Sequence, residues 1–235
     1  MTENIASVKK TARLAGLLYL IWIITAIYGE FYVPSRIHMQ GDAVTAAQNI
    51  LSNEFLFRTG ILNDVISSAI WVLLVLVFYR LFKSVNERLA KLMVALVIVQ
   101  IPTVFMMEAF NITSLIILKG DILQAFELSQ RQDLAMLFLK IDDYGVSTLV
   151  LFWGLWLFPL AILVYRSHFL PRFLGIWLII NGFAYLVLSF TSLLFPQYRD
   201  IVFKIGFPAM LGEIAMMLWL LIKGVKNNIP AIQGS

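Results

Sequence analysis

The apolar positions gather into six runs, at about 12–33, 56–80, 92–118, 134–165, 173–195 and 204–223. Crossing a hydrocarbon core of about 30 Å takes roughly 20 helical residues at 1.5 Å each. Every run meets that length, so the pattern predicts an all-α polytopic membrane helix bundle with six transmembrane helices, formed as a single membrane domain over residues 1–235. The first run, ARLAGLLYLIWIITAIYGEFYV, is 22 residues long. That exceeds the roughly 7–15 apolar residues of a signal peptide, and no small-x-small cleavage site follows, so it reads as a retained span. Pro102 lies inside the third run and Pro159 near the far end of the fourth.

The polar segments predict the connections. Pro34–Gly41 reads as a turn, and Asp42 as the cap of a short external amphipathic helix over about 42–55. Val44, Ala47, Leu51 and Phe55 recur on one face of it, with Gln48, Asn49, Ser52 and Asn53 on the other. Such a helix either lies at the membrane surface or packs as a cap on neighbouring helix ends. Residues 80–91 form a basic loop, RLFKSVNERLAK. Ser129–Gln132 has capping-box spacing and would start the fourth span; residues 166–172 form a tight basic turn, and polar tails close both ends. Arg13-x-x-Gly16 and Arg172-x-x-Gly175 echo each other, but four positions do not make a repeat.

Composition agrees with the pattern. The chain is 60% hydrophobic and 14% charged, against about 25% charged in a soluble domain, with a mean hydropathy of +0.86. It has no cysteine and two histidines, His38 and His168, both in predicted loops, which removes thiol chemistry, Cys-ligated metals and a multi-His centre. No Gly-x-Ser-x-Gly, His-Glu-x-x-His, phosphate loop or Gly-x-Gly-x-x-Gly occurs. No cofactor, metal or nucleic-acid partner is therefore expected. Asp142 and Asp143 are neighbours about 100° apart around a helix, which does not make a catalytic dyad.

The basic residues have a simpler explanation than nucleic acid. With six spans, both termini share one side. Lys9, Lys10, Arg13, Arg80, Lys83, Arg88, Lys91, Arg166, Arg172, Lys223 and Lys226 flank that side, against only Glu3 and Glu87 of the acids. The positive-inside rule then places both termini in the cytoplasm and the 42–55 helix outside.

Six carboxylates fall within or beside the spans: Glu30, Asp64, Glu108, Asp142, Asp143 and Glu213. A charge at mid-bilayer costs roughly 2.5–3.5 kcal/mol on insertion scales, so each needs a reason. Residue counting places them in the outer half, with Glu213 deepest. Gln100, Asn111 and Ser114 share a face of the third span with Glu108 on its flank. Asn63, Asp64 and Ser67 share an arc of the second, and Lys140, Asp143 and Ser147 one of the fourth. The first reading is an outward-facing polar cavity that takes a small molecule or cation, in a transporter-like or sensor-like protein with the 42–55 helix as its lid. Its candidate lining is Glu30, Asp64, Gln100, Glu108, Asn111, Asp143 and Glu213. The second reading is a structural membrane protein whose partner is the lipid bilayer. Its charges pair between helices, as Arg58 with Glu30 or Asp64, or Lys140 with Asp143. An intramembrane enzyme ranks last, for want of a nucleophile and base. Glu213 has no basic residue on its own span between Lys204 and Lys223, so a neutral, hydrogen-bonded carboxyl is expected, with Gln100, Glu108, Asn111 or Asn181 as partners. Met106, Met107, Met216, Met217, Trp153 and Trp156 read as packing.

Several phrases carry a resemblance. They are ARLAGLLYL at Ala12–Leu20, Glu30-x-x-Val33-Pro34-Ser35-Arg36, Gly41-Asp42-Ala43 with Asn49-Ile50-Leu51, Leu56-Phe57-Arg58-x-Gly60 with Asp64, and Asp143-Tyr144-Gly145. The most specific is Phe169-Leu170-Pro171-Arg172 with Leu174-Gly175, after Tyr165-Arg166-Ser167. Over roughly residues 10–223 the chain resembles the bacterial DUF4386 family of integral membrane proteins. The resemblance implies a multi-pass protein of the bacterial inner membrane and no particular activity. It would place a histidine before Asp-Tyr-Gly, where this chain has Asp142.

Overall fold

A computed structural model describes residues 5–39 and 41–225. It is helical throughout, with no strand among the described residues. Six helical stretches are long and apolar enough to cross a membrane: Ala6–Arg36, Glu54–Phe82, Glu87–Lys119, Leu128–Arg166, Arg172–Leu194 and Pro196–Ile222. All six predicted spans are present, and most run past the expected ends. The expected polar tail beyond Val225 lies outside the described residues.

The first span is α1 (Ile5–Ile27), a π turn (Tyr28–Tyr32) and α2 (Val33–Arg36). Helix therefore continues through Pro34, where the sequence predicts a turn. Proline lacks an N–H and crowds the carbonyl four residues back. The wider π turn immediately before it, with Pro34 in the first turn of α2, absorbs both. Helix α3 (Ala43–Ser52) follows, then α4 (Glu54–Phe82). The basic loop shrinks to 83–86, because Asn86 caps α5 (Glu87–Ile98) by accepting from Leu89 N at 2.9 Å. The third span breaks at Val99–Gln100 before α6 (Ile101–Lys119), one turn ahead of Pro102. The fourth breaks at Trp156, between α7 (Leu128–Leu155) and α8 (Leu157–Arg166), three residues ahead of Pro159. Helix α7 starts at Leu128, earlier than the Ser129 cap predicts. Gln130 Oε1 accepts from Glu127 N at 2.9 Å, so the cap sits two residues upstream. Helix α9 (Arg172–Leu194), a 3-10 turn (Pro196–Tyr198) and α10 (Arg199–Ile222) complete the chain.

The residues sort into two compact units. One comprises the stretch ending at Ile21, Ile70–Gln100 and the chain from Ser147 onward. Its core is a run of aromatic edges and faces: Trp71 on Trp156, Trp156 on Tyr19, Tyr19 on Phe78, Phe78 on Phe82 and Phe82 on Phe169. Trp156, Met216 and Met217 are buried, in keeping with packing, whereas Met106, in the other unit, is 57% exposed. Glycines bring the helices of this unit together. A Cβ on Gly154 of α7 would stand 2.7 Å from Gly182 O of α9, and one on Gly175 of α9 would stand 2.7 Å from Ala161 O of α8.

The other unit comprises Trp22–Ala69 and Ile101–Val146. Its core holds Val33, Ile37, Ala47, Ile50, Phe57, Leu115, Ile117, Leu118 and Ala135. Helix α3 contributes to this core, so one face of it is packed on its neighbours. Ala46, Ala47 and Ile50 form its buried face, while its Val44 (48% exposed) and Leu51 (40%) point away, as does Phe55 (82%) at the start of α4. The expected apolar face is thus only partly the packed one, since small alanines allow the closer approach. Asn49 Nδ2 ties the helix to His38 O at 2.9 Å.

Asp42 caps α3 as predicted, accepting from Thr45 N at 2.9 Å. That hydrogen bond holds the Asp42 carboxyl below its ordinary range. A carboxyl depressed by folding adds stability above its unfolded value of about 3.9, and the contribution disappears as pH falls through the lower folded value. Asp42→Ala is therefore expected to speed amide exchange at Thr45 and Ala46 at neutral pH while α4 stays protected. Unchanged exchange at both amides would deny the cap any role.

Candidate functional site

The second unit contains an acid cluster. Asp64 comes from α4, Glu108 and Asn111 from α6, and Asp142 from α7. Glu108 is 7% exposed, and Asp64 and Asp142 are half-buried. Residues three apart share a helix face, so Asn111 reaches Glu108 Oε2 with Nδ2 at 3.2 Å; the same nitrogen reaches Asp142 Oδ1 across the helix pair at 3.3 Å. The Asp64 carboxyl lies within hydrogen-bonding reach of Glu108. On its other side it accepts from Asn63 Nδ2 at 2.9 Å, and that amide also donates to Thr25 O at 3.0 Å. A Cβ on Gly29 would collide with Asp64 Oδ1. The π turn thus presents bare backbone where the carboxyl sits, and the change in helical phase there brings Gly29 to face it.

The cluster has an unusual balance. Every partner displayed by Asp64, Glu108 and Asp142 is an amide or another acid. Glu30, exposed on the π turn, adds a fourth negative group near Glu108. Two carboxyls in hydrogen-bonding contact need a proton between them, because two ionised oxygens repel.

The predicted ion pairs are placed differently. Arg58 bonds Glu54 Oε1 at 2.8 Å, one turn back on its own helix, rather than Glu30 or Asp64. Lys119 reaches the same oxygen at 3.1 Å, so this triad closes the start of α4 against the end of α6. Lys140 and Asp143 are both exposed on α7, and Asp143 adds its negative charge beside Asp142.

Glu213 belongs to the first unit and has its own partners. Tyr19 OH donates to Oε1 at 2.8 Å; Tyr185 OH and Asn181 Nδ2 reach Oε2 at 3.1 and 3.4 Å. Of the expected partners, Asn181 is the one found there. Gln100 is buried at the α5–α6 break, where its amide nitrogen donates to Leu96 O at 2.6 Å. The sequence pattern does not single out Tyr19 or Tyr185, because a tyrosine in an apolar run reads as packing. The available signal was Asn181 and Tyr185 one turn apart on α9. Among the described residues no group of three or more His, Asp or Glu is placed to hold a metal ion.

A family model for "Domain of unknown function (DUF4386)" matches residues 14–224. The chain belongs to this family. The matched range takes in both acidic centres and most of all six spans of the DUF4386 chain. An uncharacterized protein of Archaeoglobus fulgidus is 36% identical over 89 residues, which cover 38% of this chain and 49% of that protein. The match thus spans about half the length of that relative. No solved structure matches. The Phe169–Gly175 phrase that carried the resemblance builds the α8–α9 hairpin. His168 takes φ 57°, a left-handed conformation uncommon outside glycine. Ser167 Oγ accepts from Leu170 N at 3.3 Å, Phe169 stacks on Phe82, Arg172 lies 5.3 Å over the Tyr165 ring, and Gly175 abuts Ala161 O. In this DUF4386 chain the phrase builds the α8–α9 hairpin.

Proposed function

We propose that this DUF4386 protein binds a proton or a small cation between Asp64 and Glu108, beside Asp142, as a transporter or sensor in a cytoplasmic membrane. One observation carries the reading: three carboxyls from three helices approach one another within apolar spans, and their visible partners are amides and each other. A cation entering the cluster supplies the missing charge and displaces the shared proton. Asn63 and Asn111 hold the carboxyls in place, and Gly29 leaves Asp64 its room. A purely structural role for Asp64, Glu108 and Asp142 is less well supported, since their displayed partners are amides and acids, whereas the ion pairs of Glu54 and Glu87 sit at helix ends.

The test is a cation panel on the purified protein in lipid nanodiscs, with sodium, potassium, magnesium and tetramethylammonium chlorides and a pH series. At least one cation, or protons alone, should shift the melting midpoint, and in a Glu213→Gln background Asp64→Asn with Glu108→Gln should remove the shift while leaving a folded protein. A wild-type midpoint indifferent to every cation and to pH would defeat the proposal.

The orientation is part of the same reading. With both termini cytoplasmic, reporters fused at Lys223 and at Val85 should report the cytoplasm and one at Gln48 the outside. A fusion at Lys223 that reports the outside would invert the charge argument.

A further inference from the structure

The Glu213 centre lies in the other unit and uses none of the cluster's residues. Glu213 is 6% exposed on α10. The titratable groups that face it are Tyr19 from α1 and Tyr185 from α9, with Asn181 as the neutral partner. Asn181 is fully buried, and its Nδ2 divides between Glu213 Oε2 and Met210 O, at 3.4 Å each. Its Oδ1 is buried with no hydrogen-bond partner. Exchanging the amide oxygen and nitrogen does not mend this. The N–H₂ would then occupy the orphaned position, and the oxygen would face two acceptors. A buried carbonyl without a donor and a buried carboxylate without a counter-charge therefore belong to two side chains joined through Asn181 Nδ2.

Three occupants can be weighed against that pair of deficits. A water satisfies the carbonyl and leaves the carboxylate charge. A proton on Glu213 removes the charge and leaves the carbonyl, so that route needs a proton and a water together. A desolvated alkali cation answers both, because it is positive and takes oxygen ligands only. A divalent ion suits the centre poorly, since calcium and magnesium sites draw on more oxygens, and usually more negative charge, than one carboxylate gives. We infer that Glu213, Asn181, Tyr19 and Tyr185 form a buried site for a monovalent alkali cation. Glu213 supplies the charge, Asn181 Oδ1 a neutral ligand, and the two phenols hold the carboxylate in place through their hydroxyl protons.

The experiment is a melting titration of the full chain in detergent against sodium, potassium and choline chlorides at matched ionic strength. It is run in the wild type and in Asp64→Asn/Glu108→Gln, which removes the acid cluster. Sodium or potassium, and not choline, should raise the midpoint in both proteins. Added to the double variant, Glu213→Gln should abolish the response. Asn181→Ala should weaken the apparent affinity at least tenfold while the protein stays folded. Lowering the pH should shrink the alkali response, as protons compete for the same carboxylate. An alkali response that vanishes in Asp64→Asn/Glu108→Gln and survives in Glu213→Gln alone would overturn this site and leave the acid cluster standing. A response absent from the wild type, or unchanged in the Glu213→Gln triple variant, would overturn it as well. Should Glu213→Gln not accumulate, Tyr185→Phe, which removes one hydroxyl, must weaken the response, and an unchanged response there would count against the site.

Discussion

Gly154→Val is expected to destabilise the protein by about 3 kcal/mol or more, at the upper end of what overpacking costs. The physical reason is a backbone-to-backbone approach. A Cβ on Gly154 would stand 2.7 Å from Gly182 O, and one on Gly182 would stand 3.1 Å from Gly154 O, so α7 and α9 cross at reciprocal glycines. Neither obstruction is a side chain that can rotate away. In a membrane, where lipid tails are as apolar as leucine, helix association rests heavily on such close packing, and a branched side chain there forces the helices apart. Gly175→Val should behave similarly against Ala161 O, also at 2.7 Å. Gly206→Ala serves as the control, because its Cβ would meet Ala184 and Met210 side chains at an ordinary 3.5 Å. Denaturant unfolding in detergent checks the ranking. Gly154→Val as stable as Gly206→Ala would mean that the α7–α9 crossing is looser than described.

The second large effect is expected from Glu108→Lys. Introducing a basic residue into a span ordinarily costs about as much as introducing an acid. Here the new ammonium would stand near Asp64 and Asp142 and provide the charge those carboxyls lack. The variant should accumulate and melt no lower than the wild type without added cation. It should also lose the cluster's cation response, with at least a tenfold fall in apparent affinity, because the tethered ammonium occupies the place of the ligand. Glu108→Leu separates charge from volume: it removes a carboxyl without filling the site and should not reproduce the stability of the lysine variant. A lysine variant that fails to insert, beside a leucine variant that inserts, would show that no negative well exists at position 108.

The spans were legible because hydropathy over 20 or more residues leaves little choice, and the Asp42 cap because an Asx residue before an apolar-periodic segment has one efficient use. The helix breaks were half legible. Pro102 and Pro159 mark them, but a proline disturbs the turn before it, so the breaks fall at Val99–Gln100 and at Trp156. Helix α3 was placed correctly and phased less well, because periodicity ranks Val44 and Leu51 above alanines, whereas packing chose Ala46, Ala47 and Ile50. The π turn at Tyr28–Tyr32 leaves no mark in hydropathy, and with it the role of Gly29 beside Asp64 stayed hidden. Glu108 and Asp64 were flagged by depth and helical phase; of the two neighbouring acids Asp143 was taken for the lining, whereas Asp142 is the one that meets Asn111. That Asn111 ties Glu108 to Asp142, and that Tyr19 and Tyr185 clasp Glu213, depends on which helices meet, which a single sequence does not encode locally.

A proton shared between Asp64 and Glu108 is the expectation that tests the cation proposal most directly, and infrared difference spectroscopy of the protein in nanodiscs reads it. At neutral pH without added cation, the wild type should show a protonated-carboxyl C=O stretch that is lost in Glu108→Gln and in Asp64→Asn. A binding cation should diminish it in the wild type. A wild-type spectrum without any protonated carboxyl, or a band unchanged by both substitutions, would contradict the proposal.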